Sequence, residues 1–295
     1  MSARLLPPVA LGMMLWMLAT LLESAMMGVI RHVANDIDPL QIVFLRCFFG
    51  LAFLGPWILR QITTTLTTAR FPFHALRALL QIVAMMFWFA SVPRLPLADV
   101  AAIGFLAPLF ATIGAVPILR ERVGWRRSAA LAVGFVGMLV LVRPGLRSVD
   151  AGVLMMLGSS LSWGAALLVI KSLSRTVHIG TMTAWVTVLI TPFALVPALF
   201  VWQWPTTETW LLMALVGISG TCSHLLIGKA FQLTDASAVM PLDFTRMIWT
   251  SIIGWYFFGQ NPDLWSWVGG AIVFGAATYI TWRETLVARQ KALDA

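Results

Sequence analysis

The amino-acid sequence predicts an all-α integral membrane protein with ten transmembrane helices. Of its 295 residues, 60% are hydrophobic, 20 are Lys or Arg and 12 are Asp or Glu. A soluble protein of this length would carry on the order of 70 charged residues. The mean hydropathy is +0.88. This composition leaves too little polar surface for a soluble enzyme, a disordered protein or a nucleic-acid-binding domain.

Ten apolar segments are each long enough to cross the hydrocarbon core, which takes about 20 mostly apolar residues. They cover residues 9–30, 39–59, 72–92, 97–118, 127–143, 150–170, 180–201, 209–229, 236–257 and 264–282. Turn-forming or charged residues separate them, as at 35–39 and 143–145. A β-barrel is excluded because its strands alternate over about ten residues, whereas these segments are continuously apolar.

The distribution of basic residues favours cytoplasmic positions for both termini. With the N-terminus inside, 14 of the 20 Lys and Arg residues fall in cytoplasmic segments and four in outer segments. Cytoplasmic loops of membrane proteins carry such an excess. The remaining two, Arg46 and Arg246, lie inside predicted spans.

The chain divides into two halves, residues 1–145 and 146–295, with five predicted spans each. An offset of about 140 residues aligns the spans and loops of the halves, and an offset of 139 places Phe105 on Phe244. Because five is odd, the second half would cross the membrane in the opposite direction to the first. Such inverted repeats are frequent in secondary transporters.

Two segments resemble a known family. Residues 97–108, Leu-Ala-Asp-Val-Ala-Ala-Ile-Gly-Phe-Leu-Ala-Pro, are similar to the fourth helix of the EamA family in the drug/metabolite transporter superfamily. Residues 238–246 resemble the ninth helix of a bacterial subset of that family, similar to exporters of the YddG type. The resemblance covers almost the whole chain as two EamA repeats and implies a bacterial cytoplasmic (inner) membrane location. One departure is Gln260, which takes the place of the acidic Glu121 of the first repeat.

Two charged residues lie at similar depth in the first two predicted spans. Glu23 and Arg46 are each about seven residues from the outer end of their helix, or roughly 10 Å deep. Charged side chains within spans are costly and usually functional, and we expect these two to form an ion pair. Either Glu23 binds a substrate amine or a coupling proton, or the pair is structural.

Three more polar residues lie within the predicted eighth and ninth spans. Asp243 and Arg246 are one turn apart and share a face, and Pro241 before them permits a kink. A zwitterionic amino acid could bind with its ammonium on Asp243 and its carboxylate on Arg246, or the two could form an internal salt bridge. His224 either relays protons or hydrogen-bonds between helices.

Trp163 aligns with Glu23 under the repeat offset, so an aromatic ring and a charge could hold a ligand with a polar head and an apolar body; ordinary packing is the alternative. The substrate-binding candidates are Glu23, Arg46, Trp163, His224, Asp243 and Arg246. Arg77 and Lys229, near cytoplasmic ends, are predicted to extend toward lipid headgroups. His74 lies near a loop and needs no function.

No catalytic residue, metal or cofactor is predicted. Four scattered histidines and two cysteines lack the spacing of metal ligands, and no P-loop motif for ATP is present. The predicted partners are a small-molecule substrate and the lipid bilayer, with proton or counter-substrate coupling and no nucleic acid. The sequence does not define an oligomeric state.

The preferred function is a secondary transporter that exports an amino acid or related amine by alternating access. The main alternative is an uptake carrier or exchanger for another metabolite of the nucleoside, vitamin or nucleotide type. A membrane-embedded enzyme is less favoured, because the loops are short and no catalytic cluster is present. A channel would need rings of pore-lining residues, which the sequence lacks.

Overall fold

The computed structural model describes residues 8–60, 70–119, 125–143, 150–173, 177, 179–233 and 240–293. Most of these residues are helical, and none of them forms a strand. The helices are α1 Pro8–Val33, α2 Pro39–Arg60, α3 Phe71–Ser91, α4 Leu97–Gly104, α5 Ala107–Leu119, α6 Trp125–Val142, α7 Ala151–Leu173, α8 Ile179–Phe200, α9 Thr207–Leu233, a 3₁₀ helix Met240–Phe244, α10 Thr245–Phe258 and α11 Leu264–Leu293.

The helices confirm the predicted all-α membrane class. Six described segments are long and apolar enough to span a bilayer: Val9–Val33, Pro39–Pro56, Phe71–Ser91, Leu97–Ile118, Ala151–Ile170 and Thr207–Ala230. Three shorter apolar helices are Ser128–Val142, Trp185–Phe200 and Leu264–Ile280. Described helices coincide with all ten predicted segments, while their ten crossings stay a prediction.

The predicted span 97–118 is interrupted. It divides into α4 and α5 around Phe105, because Pro108 has no N–H to donate to the carbonyl of Gly104. The hydroxyl of Ser160 on α7 donates to the nearby carbonyl of Ile103 at 3.0 Å. The same carbonyl also accepts from the N–H of Leu106 at 3.0 Å, so the Ser160 bond attaches α7 to the break without replacing the donor that Pro108 lacks.

The predicted span 236–257 is also irregular. Its described part begins as the 3₁₀ helix Met240–Phe244, which contains Pro241, and continues as α10. The ring of Phe244 lies 6.3 Å from the ring of Phe105, centroid to centroid. The two interruptions, which fall at aligned positions of the halves, therefore meet inside the bundle.

The helices of one half pack mainly on those of the other. Helix α1 packs against α9 and α10, and α7 packs against α3 and α5. Helix α2 contacts α8 and α9, α8 contacts α3, and α6 contacts α11. Each half has five described helical segments if α4 and α5 are counted as one and the 3₁₀ helix and α10 as another. When each segment is exchanged for the corresponding segment of the other half, the same set of contacts is obtained.

Helices α2 and α9 approach closely at a glycine. A Cβ atom added to Gly217 would lie 2.5 Å from the Cβ of Phe49 and 2.9 Å from the backbone nitrogen of Gly50. Small residues at helix crossings let backbones come this close in membrane proteins. This crossing fixes α9 beside the segment of α2 that carries Arg46.

The substitution Gly217→Ala is expected to lower the free energy of unfolding by about 1–3 kcal/mol, because α2 must move to admit the methyl group. The matched control is Gly228→Ala on the same helix, where nothing lies within 4 Å of the added Cβ. It should be neutral or stabilising by up to about 1 kcal/mol. Thermal unfolding in detergent measures both, and equal shifts would contradict the packing.

The ends of the helices predicted to face outward are tied together by glutamines. The side-chain amide of Gln41 donates to the carbonyl of Gln203 at 2.7 Å, and the N–H of Gln203 donates back at 2.9 Å. The Oε1 atom of Gln260 accepts from the N–H of Leu97 at 3.0 Å and so caps α4. The residue that departs from the family pattern thus has a structural contact.

An ion pair joins Arg143, after α6, to Asp263, before α11. Partial burial opposes ionisation of Asp263, but hydrogen bonds from the Ser266 N–H, Arg143 and the Ser266 hydroxyl outweigh it and lower the pKa of Asp263. Because the pKa of Asp263 is lower in the folded state than in the unfolded state, its ion pair stabilises the fold at pH values above the ordinary aspartate pKa. This stabilisation is lost as the pH falls through the folded-state pKa.

The variant Asp263→Asn is therefore expected to be less stable than the parent at pH 7, by about 1 kcal/mol for this partly exposed pair. The difference should shrink as the pH falls below about 4, where the parent carboxylate also becomes protonated. Thermal unfolding between pH 7 and pH 3 measures this, and a difference that does not change with pH would contradict it.

Candidate functional site

Arg246 lies at the centre of a buried charge cluster. Its Nη2 atom is 2.8 Å from Oε2 of Glu23 and 3.0 Å from Oδ1 of Asp243. Glu23 comes from α1 and is 8% exposed, whereas Asp243 comes from the 3₁₀ segment. One guanidinium thus bridges two carboxylates that the two predicted halves contribute. The internal pair between Asp243 and Arg246 is one of the two predicted interpretations.

Hydroxyl groups hold the carboxylate of Glu23 and the helices around it. Ser223 on α9 donates to Oε1 of Glu23 at 2.8 Å. On α1, the Thr20 hydroxyl is hydrogen-bonded to that of Thr245 at 3.0 Å, and Ser24 donates to the carbonyl of Arg246 at 3.4 Å. These contacts attach α1 to both α9 and α10 at the level of the charges.

The predicted ion pair between Glu23 and Arg46 is wrong. Glu23 pairs with Arg246, and Nη2 of Arg46 instead lies 3.2 Å from Nε2 of His224. The prediction assumed that consecutive helices are neighbours, but α1 packs on α9 and α10, and α2 packs on α8 and α9. Equal depth was therefore not sufficient for contact.

The contact between Arg46 and His224 joins α2 to α9. A guanidinium can only donate, so Nε2 of His224 accepts and its ring is neutral. Of the two predicted roles of His224, the hydrogen bond between helices is the one present. Gly220 leaves room for Arg46, since an added Cβ would be 3.2 Å from the guanidinium.

The polar cluster is partly accessible, since the side chains of Arg246 and Asp243 are 24% and 22% exposed. His224 is exposed although Glu23 and Ser223 beside it are buried. The Nε atoms of Arg46 and Arg246 are buried and have no hydrogen-bond partner among the described residues. The carboxylates of Glu23 and Asp243 add hydrogen-bond acceptors to these donors.

Trp163 lies on α7 and is half-buried. Helix α7 packs mainly against α3 and α5. Within the described part of the chain, no hydrogen bond or ring contact joins Trp163 to the charge cluster. Its role in binding stays a prediction.

Sequence reasoning missed three side chains around the cluster: Trp16, Thr20 and Ser223. Trp16 is 5% exposed and lies beside Asp243. The first two and Glu23 are spaced at i, i+4 and i+7, which places them on one face of α1. That spacing could have identified them, whereas the contact of Ser223 depends on how α9 packs.

Two cavities lie away from this cluster. One of about 360 Å³ is lined by Arg94, Asp99 and Asp150 at the ends of α3, α4 and α7 predicted to face outward. The other, of about 370 Å³, is an apolar groove between α6 and α11, lined by Trp125 and Tyr279. Among the described residues, no group of three or more His, Cys, Asp or Glu side chains could hold a metal ion.

Comparison with known families gives two matches along the chain. Residues 10–143 and residues 150–282 each match the EamA-like transporter family. The matches together cover nearly all of the described helices, and the boundary between them falls where the sequence divides into halves.

Curated relatives cover almost the full length of the chain. A riboflavin transporter of Vibrio cholerae is 30% identical over 94% of this chain and 95% of its own length. An S-adenosylmethionine uptake transporter of Rickettsia prowazekii is 25% identical over 91% and 92%. A pseudopaline exporter of Pseudomonas aeruginosa is 23% identical over 89% and 93%.

A solved crystal structure has the same fold. It superposes with a TM-score of 0.60 at 17% sequence identity and covers 93% of this chain and 97% of its own. At this identity the likeness concerns the fold alone.

Proposed function

Because the chain belongs to the EamA-like transporter family, we propose that it is a secondary transporter that takes up a metabolite of the flavin or adenosine class. Named relatives of similar length are riboflavin transporters and S-adenosylmethionine uptake transporters. Amino-acid export, preferred from the sequence, finds no support among them. The alternative of uptake of a vitamin- or nucleoside-type metabolite fits better.

The observation that carries this proposal is the buried cluster of Glu23, Arg246 and Asp243 beside Arg46 and His224. It combines acceptors and donors between helices of both predicted halves. Flavins and adenosine derivatives present amide, amine and hydroxyl groups on a flat ring system, which such groups can bind by hydrogen bonds. Met26 and Met247, on the helices that carry Glu23 and Arg246, belong to the hydrophobic core and provide apolar surface for a flat ring.

We also propose that the chain crosses the membrane ten times as an inverted repeat with both termini in the cytoplasm. Two findings support this: the family matches each half separately, and the helix contacts recur when the halves are exchanged. Substrate sites in such repeats lie near the midplane at the interface of the halves. Glu23, about 10 residues from the outer end of α1, is roughly 15 Å deep.

Transport requires alternating access and a source of energy. We propose that one bundle of helices, with members from both halves, rocks against another around the charge cluster in a bacterial inner membrane, driven by a proton or by a counter-substrate. Glu23 is a candidate proton carrier because its carboxylate shares Arg246 with Asp243, and protonation of either acid leaves the arginine paired with the other.

Export is the second candidate, since the pseudopaline exporter is also a relative. Purified protein in liposomes separates the directions. With a pH gradient of either sign, radiolabelled riboflavin and S-adenosylmethionine are followed into the vesicles. We expect saturable accumulation under the gradient that corresponds to uptake into the cell.

The matched controls replace one arginine at a time. Arg46→Ala removes a cluster residue and should abolish saturable transport, whereas Arg94→Ala, in the outer cavity, should retain it. Transport of neither compound by the parent protein would contradict the proposed substrate class. Equal transport by the parent and Arg46→Ala would contradict the proposed site.

A further inference from the structure

A second polar cluster lies between α3 and α8. His74, Arg77 and Gln81 follow each other at i, i+3 and i+7 on α3, so they share one face. The ring of His74 stacks on Trp185 of α8, with centroids 5.8 Å apart. Arg77 donates from Nη1 to the carbonyl of Met182 on the same helix at 2.9 Å. Arg77 is therefore anchored in the bundle, contrary to its predicted extension to headgroups.

This α3–α8 cluster contains hydrogen-bonding atoms that the protein does not use. Within the described part of the chain, both ring nitrogens of His74, Nε of Arg77, Nε1 of Trp185 and Oε1 of Gln81 are buried without a partner. His74 is 1% exposed. A buried donor that lacks a partner costs on the order of 1–3 kcal/mol, so several together indicate a site built for a ligand.

The α3–α8 cluster adjoins the charge cluster. Helix α2, which carries Arg46, packs against α3, which carries Arg77. A ligand held at Arg46 and His224 could therefore extend to Arg77. Arg77 lies about six residues above the start of α3, or roughly 9 Å.

Charge balance indicates the chemistry of the ligand. In the charge cluster, Arg46 and Arg246 are balanced by Glu23 and Asp243. Among the described residues, no carboxylate forms an ion pair with Arg77. A guanidinium with a free Nε–H, together with the ring N–H groups of His74 and Trp185, favours an oxygen anion.

We infer that the α3–α8 cluster is a subsite for a carboxylate or phosphate group of the transported metabolite. This rests on the proposed function and narrows it to those members of the flavin or adenosine class that carry such a group. Arg77 provides the charge, and His74 and Trp185 provide further N–H donors. The phosphate of a lipid headgroup has the same chemistry, and the experiment distinguishes it.

The first test uses pairs of compounds that differ in one group. Riboflavin 5′-phosphate is compared with riboflavin, and S-adenosylmethionine with its decarboxylated form, by calorimetric titration of the full chain in detergent. The parent should bind the member with the anionic group about tenfold more tightly or better. Arg77→Gln should reduce that preference to less than about threefold, whereas Lys229→Gln, also at a cytoplasmic helix end, should not.

The second test does not depend on the metabolite. Inorganic phosphate, against chloride at equal ionic strength, should raise the melting temperature of the parent and of Arg77→Lys but not of Arg77→Gln. Circular dichroism confirms that each variant is folded. Equal stabilisation of the parent and Arg77→Gln would overturn the subsite, as would stabilisation by phosphatidylglycerol without any by soluble phosphate.

The two proposals fail separately. If riboflavin binds but Arg77→Gln changes neither the preference between compounds nor the response to phosphate, the subsite is wrong and the proposed function stands. If no flavin or adenosine compound binds while phosphate still stabilises only proteins with a basic residue at position 77, the substrate class is wrong and the subsite stands.

Discussion

Replacing Arg246 with alanine is expected to abolish transport and to lower the free energy of unfolding by about 3–5 kcal/mol. The guanidinium is 2.8 Å from Glu23 and 3.0 Å from Asp243, so its loss leaves two buried carboxylates without their shared partner. A lone charge in the bundle must take up a proton, admit water or move. Uptake into liposomes and thermal unfolding measure the two effects.

The controls for Arg246 separate charge from geometry and location. Arg246→Lys keeps the positive charge but cannot form the same fork of hydrogen bonds, so part of the stability should return and most of the transport should not. Arg143→Ala removes the arginine of the Asp263 pair outside the cluster and should leave transport intact. If Arg246→Ala were as stable and as active as the parent, the cluster would have neither role.

Replacing Glu23 with glutamine is expected to abolish accumulation driven by a pH gradient while exchange of substrate across the membrane continues. Glutamine keeps the shape of glutamate and can still accept from Ser223, but it cannot carry a proton. Arg246 keeps Asp243 as its partner. Parallel assays of gradient-driven uptake and of counterflow in the same liposomes separate coupling from binding.

A matched control for Glu23 exists at the end of the bundle that is predicted to face outward. Asp36 accepts a hydrogen bond from the hydroxyl of Thr209 on α9 at 3.1 Å, as Glu23 does from Ser223. Asp36→Asn should therefore leave both assays unchanged. If Glu23→Gln retained full gradient-driven uptake, Glu23 would belong to the structural framework alone.

Much of the fold could be predicted because the hydrocarbon core of a bilayer restricts the length and the amino-acid composition of the helices that cross it. Helix lengths follow from the thickness of the hydrocarbon core, and the described helices coincide with the predicted apolar segments. The interruption around Phe105 was missed, although Pro108 was visible in the sequence. A single proline in a span can kink a helix or divide it, and which occurs depends on contacts such as that of Ser160.

The charged residues of the cluster were predicted, and the internal pair of Asp243 and Arg246 was one of the predicted interpretations, but the partners of Glu23 and Arg46 were not. Scarcity of charge identified Glu23, Arg46 and Arg246, since any charged residue within a span is exceptional. Their pairing depended on which helices are neighbours, and depth in the membrane does not determine that. The orientation of Arg77 was predicted wrongly for a related reason. A basic residue near a helix end can extend to headgroups or turn inward, and here the carbonyl of Met182 on α8 accepts its hydrogen bond.

The location of a bound substrate shows directly whether the charge cluster is the binding site. The measurement is a cryo-electron microscopy map of the purified protein with a transported compound. We expect ligand density within hydrogen-bonding distance of Arg46 and Arg246, between α1, α2, α9 and α10. Density instead in the outer cavity lined by Arg94, Asp99 and Asp150, with none at the charge cluster, would contradict it.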